Sequence, residues 1–223
     1  MLFVDRHDAG RQLAGTLAEL DLDPRSAVVL GLPRGGVPVA YEVAKALDLP
    51  LDVFLVRKIG LPTQPELAIG AIATGGVRVF NGEMIRESGI TEADIAAVVA
   101  YEERELARRE GLYRGDERPI DAKGKTVILV DDGLATGASM FAAVTALRAH
   151  DPARIIVAVP VASSEACADL RRVADVVVCV ETPEPFRAVG VWYHDFSQTT
   201  DQEVRALLAA ARVNVPAASA VEK

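Results

Sequence analysis

Cysteine is scarce in this chain, an excess of basic residues is absent, and so is any long apolar run; each shortage removes a class of function. The two cysteines, Cys167 and Cys179, form no CxxC pair and sit near no histidine at metal-ligand spacing, which argues against a zinc site and leaves them as small buried apolar residues. The formal net charge is -8, with acids and bases interleaved, so no broad basic face for a nucleic-acid backbone is expected. A local basic cluster can still receive phosphates, because steering depends on where charge sits. Thr126 to Val130 and Arg154 to Ala162 are strand-length apolar runs, well short of the roughly 20 residues that cross a bilayer. No membrane span is expected. The start, MLFVDRHDAGRQLAG, places charges directly after a very short apolar stretch and lacks the apolar core of a signal peptide, which predicts a cytoplasmic location.

Apolar residues make up half of the 223, enough for one substantial core and a small subdomain. Leu13, Leu17 and Leu20 at helical spacing predict an opening helix over Asp8 to Leu20. Ala27 to Gly31 reads as a buried strand, Val37 to Leu47 as a helix and Leu51 to Val56 as the next strand; such a βαβ unit places its strands parallel. Leu67 to Ala73 and Val77 to Phe80 flank Gly75-Gly76, a tight-hairpin pattern. Thr91 to Gly111 reads as a long helix with Thr91 as N-cap. From Thr126 strands and helices alternate: strand to Val130, helix Met140 to Ala149, strand Ile155 to Val161, helix Ser164 to Val173, strand Val176 to Val180. The rhythm predicts a doubly wound, mainly parallel α/β sheet flanked by helices. Residues 214–223 read as a small polar tail.

The chemistry concentrates in Asp131-Asp132-Gly133-Leu134-Ala135-Thr136-Gly137-Ala138-Ser139. In an open parallel sheet, ligands bind beyond the carboxyl ends of strands, and the acid pair falls where Thr126 to Val130 ends. Adjacent carboxylates at the edge of a core repel each other and lose hydration, so they need a cation or hydroxyl donors; a ribose diol with magnesium meets that need. The small residues that follow let the backbone wrap an anion, and the next helix points its N-terminus at it. Thr136 and Ser139 add hydroxyls. Gly124-Lys125-Thr126 imitates the end of a Walker A loop, but Pro119 stands where that motif needs glycine and a strand follows where it needs a helix.

The run VILVDDGLATGAS resembles the phosphoribosyl-diphosphate-binding motif of type I phosphoribosyltransferases. The order of elements supports the resemblance over about 27–180, with about 70–115 as an insertion and about 185–213 as a hood, all within a single domain over 1–213. The resemblance implies that Asp131 and Asp132 contact the ribose hydroxyls, that Leu134 to Ser139 hold the 5-phosphate with Gly133 opening the turn, and that magnesium accompanies the donor near the acids. Relatives acting on hypoxanthine and guanine generally carry an acid where this chain has Ala135; the loop here resembles the adenine type, without establishing adenine as acceptor. A homodimer would follow family habit.

Leu32-Pro33-Arg34-Gly35-Gly36 follows the first strand, where Gly35 and Gly36 permit unusual backbone angles and close approach to a ligand, and Arg34 offers planar donors to a diphosphate. The loop resembles the family's pyrophosphate loop, which often holds a non-proline cis peptide. Lys58 opens a polar stretch to Glu66 with the composition of a mobile lid and is expected on the diphosphate. Trp192, Tyr193 and Phe196, with Phe186, gather the late aromatics and could stack an acceptor base; core packing accounts for them equally. His194 and Asp195, as neighbours on an extended chain, are assigned no catalytic pairing, and His7 and His150 read as surface residues. The expected activity is magnesium-dependent transfer of a phosphoribosyl group from 5-phosphoribosyl 1-diphosphate to a nitrogen on a small-molecule acceptor, with Arg34, Lys58, Asp131 and Asp132 as the catalytic set. Two alternatives stay open: a regulatory module that binds the same ligand without transfer, and a hydrolase of phosphorylated sugars.

Overall fold

The computed structural model describes residues 3–62 and 64–214, so the expected tail beyond 214, and Thr63 in the expected lid, lie outside the described residues. Helix α1 (Arg6–Leu17) opens the chain, capped by Asp5, whose carboxylate accepts the Asp8 N–H. Strand β1 (Ala27–Gly31), helix α2 (Gly36–Leu47) and strand β2 (Leu51–Val53) form the expected βαβ unit, the two strands parallel. The second strand ends before Val56 because the backbone changes partner: the Phe54 N–H still bonds the Gly31 carbonyl, whereas Leu55 donates to the Thr74 hydroxyl.

Val56 instead begins β3 (Val56–Leu61), which pairs antiparallel with β4 (Gln64–Ala73), itself antiparallel to β5 (Val77–Phe80). The stretch expected as a polar lid is therefore the closed end of the β3–β4 hairpin. Ile59 and Leu61, both buried, supply the period-two pattern that the intervening Gly60 and the following Pro62 obscure. The β4–β5 turn is the expected glycine pair, with φ of 81° at Gly75 and 76° at Gly76, a conformation L side chains resist.

Helix α3 (Gly82–Ser88) leads to α4 (Glu92–Arg114), which starts at Thr91 as expected: the Thr91 hydroxyl accepts the Asp94 N–H. Along α4 the buried apolar residues are Val99, Leu106 and Tyr113, every seventh position, so one narrow stripe faces the protein. Arg114 anchors its end: the guanidinium donates to Asp52 at 2.9 Å, with side-chain exposures of 3% and 6%, and also to the Val53 carbonyl. Strand β6 (Thr126–Val130), helix α5 (Ala138–Arg148), strand β7 (Arg154–Val161), helix α6 (Ser164–Leu170) and strand β8 (Val176–Glu181) follow, then a 3-10 turn (Val189–Trp192) and α7 (Asp201–Asn214).

The main sheet has five parallel strands in the order β2-β1-β6-β7-β8. Alternate residues face two separate cores: Val29, Ile128 and Ile156 point to one, with α1, α2 and α7, and Val28, Val127 and Ile155 to the other, with α5 and α6. Burial on both faces is why these strands read as unbroken apolar runs. Strand order reverses between β1 and β6, one connection running to β2 and the other to β7; at such a point the loops leaving two neighbouring strands diverge and leave a crevice. The cysteines sit apart from it, at α6 and β8, as free thiols with sulfurs 2.8 Å apart. No helix among the described residues is long and apolar enough to cross a membrane.

Candidate functional site

Two loops meet at the crevice. The loop after β1 is tied to the end of β6 by the Leu32 N–H, which donates to the Val130 carbonyl at 2.9 Å. Gly36 then lies so close to β6 that an added Cβ would stand 2.6 Å from the Val130 oxygen and 2.8 Å from the Asp131 Cα, and one on Gly35 would collide with the Asp132 carboxylate. The glycine pair thus lets the backbone lie directly against the acids. The Pro33–Arg34 peptide is cis.

Asp131 accepts the Asp132 N–H at 2.9 Å through Oδ1. Burial pushes the Asp131 carboxyl well above its ordinary value, and the neighbouring Asp132 charge pushes it further. Burial also raises Asp132, opposed by Arg6. Arg6 donates through Nε to Asp132 Oδ2 at 2.8 Å and through Nη1 to the Ser197 carbonyl at 2.7 Å, and its guanidinium lies 3.9 Å above the Phe196 ring. Arg6 carries little sequence signal of this role. Its one local signal is a cation in the first turn of α1, where the helix dipole disfavours positive charge.

Beyond the acids, the turn from Gly133 is held from below. Leu134 donates to the Val161 carbonyl at 2.9 Å, and Ser163 donates to the Leu134 and Ala135 carbonyls at 3.0 and 2.8 Å. Gly137 takes a φ of 70° and caps α5 without a side-chain hydrogen bond of its own, while the first N–H of the helix, on Ala138, donates to the Thr136 hydroxyl at 3.5 Å. Ala135, Thr136, Ala138 and Ser139 are exposed around it. Small residues, a positive-φ glycine and a helix N-terminus are the features with which a backbone turn can receive an anion.

The remaining expected residues divide. Lys58, on β3, lines a cavity of about 890 Å³ that reaches Thr136, Gly137 and Ala138, and another of about 400 Å³ that includes Ser139. Arg34 lines a different cavity, of about 420 Å³, with Arg108, Arg109, Tyr113 and Asp201. These two cations are not brought together. Of the aromatics, Tyr193 is core-like, 5% exposed, and its hydroxyl donates to the Asp132 carbonyl at 2.6 Å. Its ring packs against Phe3 and Phe196 at centroid distances of 5.4 and 5.0 Å. Phe196 is exposed; Trp192 is half-buried, and its indole N–H is buried without a partner among the described residues. His7 and His150, expected at the surface, are half-buried and partnered, by Glu42 and by the Thr74 carbonyl.

No group of three or more His, Cys, Asp or Glu residues placed to hold a metal occurs among the described residues. The acid pair nevertheless suits a divalent ion that brings further oxygen ligands with its substrate, since two desolvated carboxylates raised by burial gain from an added cation.

Residues 5–196 match the sequence model of the family described as the phosphoribosyl transferase domain. A protein of Mycobacterium tuberculosis provisionally named a phosphoribosyl transferase is 48% identical over 99% of this chain. The match takes in 49% of that protein, so the chain spans about half the length of the curated relatives it matches. A crystal structure of a Thermus thermophilus protein superposes with a TM-score of 0.86 at 45% identity, covering 94% of this chain and 99% of that one. A protein of Aquifex aeolicus shares the fold at a TM-score of 0.51 and 12% identity, over 91% of this chain and 85% of that one.

Proposed function

The chain belongs to the phosphoribosyl transferase domain family, and from that premise we propose that it transfers the phosphoribosyl group of 5-phosphoribosyl 1-diphosphate to a nitrogen acceptor, with release of diphosphate. The observation that carries this reading is the acid pair set directly beside an anion cradle: Asp131 and Asp132 end β6, and the open N-terminus of α5 follows at Ala138. That order matches a ribose diol and its 5-phosphate on one molecule. Magnesium would be held by oxygens of the donor with Asp131 and Asp132 at hand, where it would neutralise charge on the departing diphosphate.

In this reading the chain works by position and charge. The carboxylates of Asp131 and Asp132 accept from the ribose hydroxyls, which fixes the sugar. Thr136 to Ser139 hold the 5-phosphate through backbone N–H groups and hydroxyls. Arg34 attracts the diphosphate from the loop after β1, and Lys58 supplies positive charge from the β3–β4 hairpin. As the bond from the anomeric carbon to diphosphate lengthens, the sugar gains positive character and the acceptor nitrogen attacks from the opposite face. Phe196, exposed beside Arg6, offers the acceptor an aromatic surface, with Tyr193 packed behind it.

The test is equilibrium binding of 5-phosphoribosyl 1-diphosphate, with and without magnesium, to the wild type and to Asp131→Asn with Asp132→Asn. Magnesium-dependent binding that the double variant loses is the expected result, followed by diphosphate release in an acceptor screen. Folded wild type that fails to bind the donor would remove the basis of the assignment; binding without diphosphate release from any acceptor would favour a regulatory module.

A further inference from the structure

The cavity at Arg34 is built differently from the rest of the site. Three guanidinium groups, from Arg34, Arg108 and Arg109, line it against one carboxylate, Asp201. Asp201 is already engaged: it accepts the Tyr113 hydroxyl at 2.6 Å and lies 3.8 Å from Arg34 Nη1. Burial and that hydrogen bond push the Tyr113 hydroxyl up to about 12, so it stays a donor at neutral pH. Arg108 is held by Glu105 at 3.2 Å, within its own helix. Arg109 has no carboxylate within ion-pair distance among the described residues. Its position follows from the stripe on α4: three residues after Leu106 and four before Tyr113, it shares their inward face, and it is half-buried where Arg108 is exposed. A guanidinium held there without a counter-charge would be offset best by an anion.

The cavity also adjoins the loop that carries the acid-facing glycines, through Pro33 and Arg34. Its volume of about 420 Å³ leaves room for more than one phosphate group with its water. We propose that Arg109, with Arg34 and with Arg108 at the rim, forms the subsite for the outer phosphate of the donor's diphosphate arm. The inference rests on the donor reading above and adds to it a binding residue from α4. Planar guanidinium groups converging from a loop and a helix suit the several oxygens of a diphosphate, which a single cation would hold without fixing its orientation. Asp201 keeps Arg34 near the cavity before the ligand arrives and yields it when a more highly charged anion enters.

The experiment compares wild type with Arg109→Gln by titration calorimetry, using inorganic diphosphate and ribose 5-phosphate as separate probes, each with and without magnesium. Since Arg109 makes no ion pair to lose, the variant should melt with the wild type. Diphosphate binding should weaken by about 10-fold or more, the loss of one charge-assisted contact, with ribose 5-phosphate binding unchanged. Wild type that takes ribose 5-phosphate, beside a variant that binds diphosphate as tightly as wild type or loses both probes equally, overturns the subsite and leaves the donor reading standing. Wild type that takes diphosphate but no ribose 5-phosphate overturns the donor reading instead, and wild type that takes neither overturns both.

Discussion

Replacing Arg6 by Met tests how the acid pair is tolerated before any ligand arrives. The substitution keeps an apolar stem of similar length and removes the guanidinium, which lies 2.8 Å from Asp132 with side-chain exposures of 11% and 15% and 3.9 Å above the Phe196 ring. Breaking a buried pair by removing one partner costs about 3–5 kcal/mol when the remaining charge is trapped. Asp132 has an escape, because it can take up a proton. At about 1.4 kcal/mol per pH unit, the roughly three units between its ordinary 3.8 and neutrality cap the whole penalty at about 4 kcal/mol. Burial already imposes part of that in the wild type, so the added loss should be about 2–3 kcal/mol, or about 5–10 °C in melting temperature for a chain of this size. The sign with pH follows from linkage. A carboxyl whose folded pKa lies above its unfolded one binds more protons folded, so stability falls as pH rises between the two values. Removing Arg6 raises the folded value further and extends that fall. The gap between thermal melts followed by circular dichroism should therefore be smallest at about pH 4, where only the Ser197 and Phe196 contacts of Arg6 are lost, and widen towards neutrality. A gap of constant size across pH, or none at neutrality, would refute the account of Arg6 as the counter-charge to Asp132.

The double asparagine variant at 131 and 132 should lose donor binding yet stay folded at neutral pH, the relief of two carboxyls that burial raises offsetting the Arg6 guanidinium left against an amide in place of its carboxylate; a large drop in melting temperature would mean that the acids serve the fold. Gly137→Ala, at a φ of 70°, should cost about 1–2 kcal/mol in denaturant unfolding and weaken ribose 5-phosphate binding, and equal affinity would detach this turn from the phosphate. Arg114→Met should cost about 3 kcal/mol in the same unfolding assay, the low end for a buried pair, because Asp52 still accepts the Val53 and Ile120 N–H groups; a neutral effect would show that Asp52 relaxes or protonates freely.

The parts of the fold legible in the sequence are those whose causes are local. Strands buried on both faces must be apolar throughout, so β1, β6 and β7 announce themselves as runs, and the acid pair with the turn that follows it occupies consecutive residues from Asp131 to Ser139. Glycines forced by close approach, at 35 and 36, and by positive φ, at 75, 76 and 137, also leave a mark. The β3–β4 hairpin was hidden because Gly60 and Pro62 interrupt a pattern whose apolar members, Ile59 and Leu61, still point inward. Arg6 was hidden for another reason: its partner lies 126 residues away, and pairing across that distance is a property of the assembled sheet. The same holds for the thiols of Cys167 and Cys179, which helix and strand packing bring together, and for Tyr193, whose hydroxyl reaches the Asp132 carbonyl.

These distant contacts have a common logic. Setting two carboxylates at the end of a buried strand is unfavourable for the free protein, and the chain limits the cost with Arg6, a backbone N–H on Asp131 and an aromatic wall that holds Arg6 in place. Arg34 repeats the arrangement in reverse, with Asp201 beside a group of cations. Each half of the crevice thus holds charge of one sign with too little of the other to balance it, the acids in one and the guanidinium groups in the other. A ligand carrying hydroxyls and a cation towards the acids and phosphate towards the arginines would relieve both imbalances at once. Its binding should therefore raise stability by more than inorganic diphosphate or ribose 5-phosphate does alone, which melting temperatures measured with each at saturation can decide.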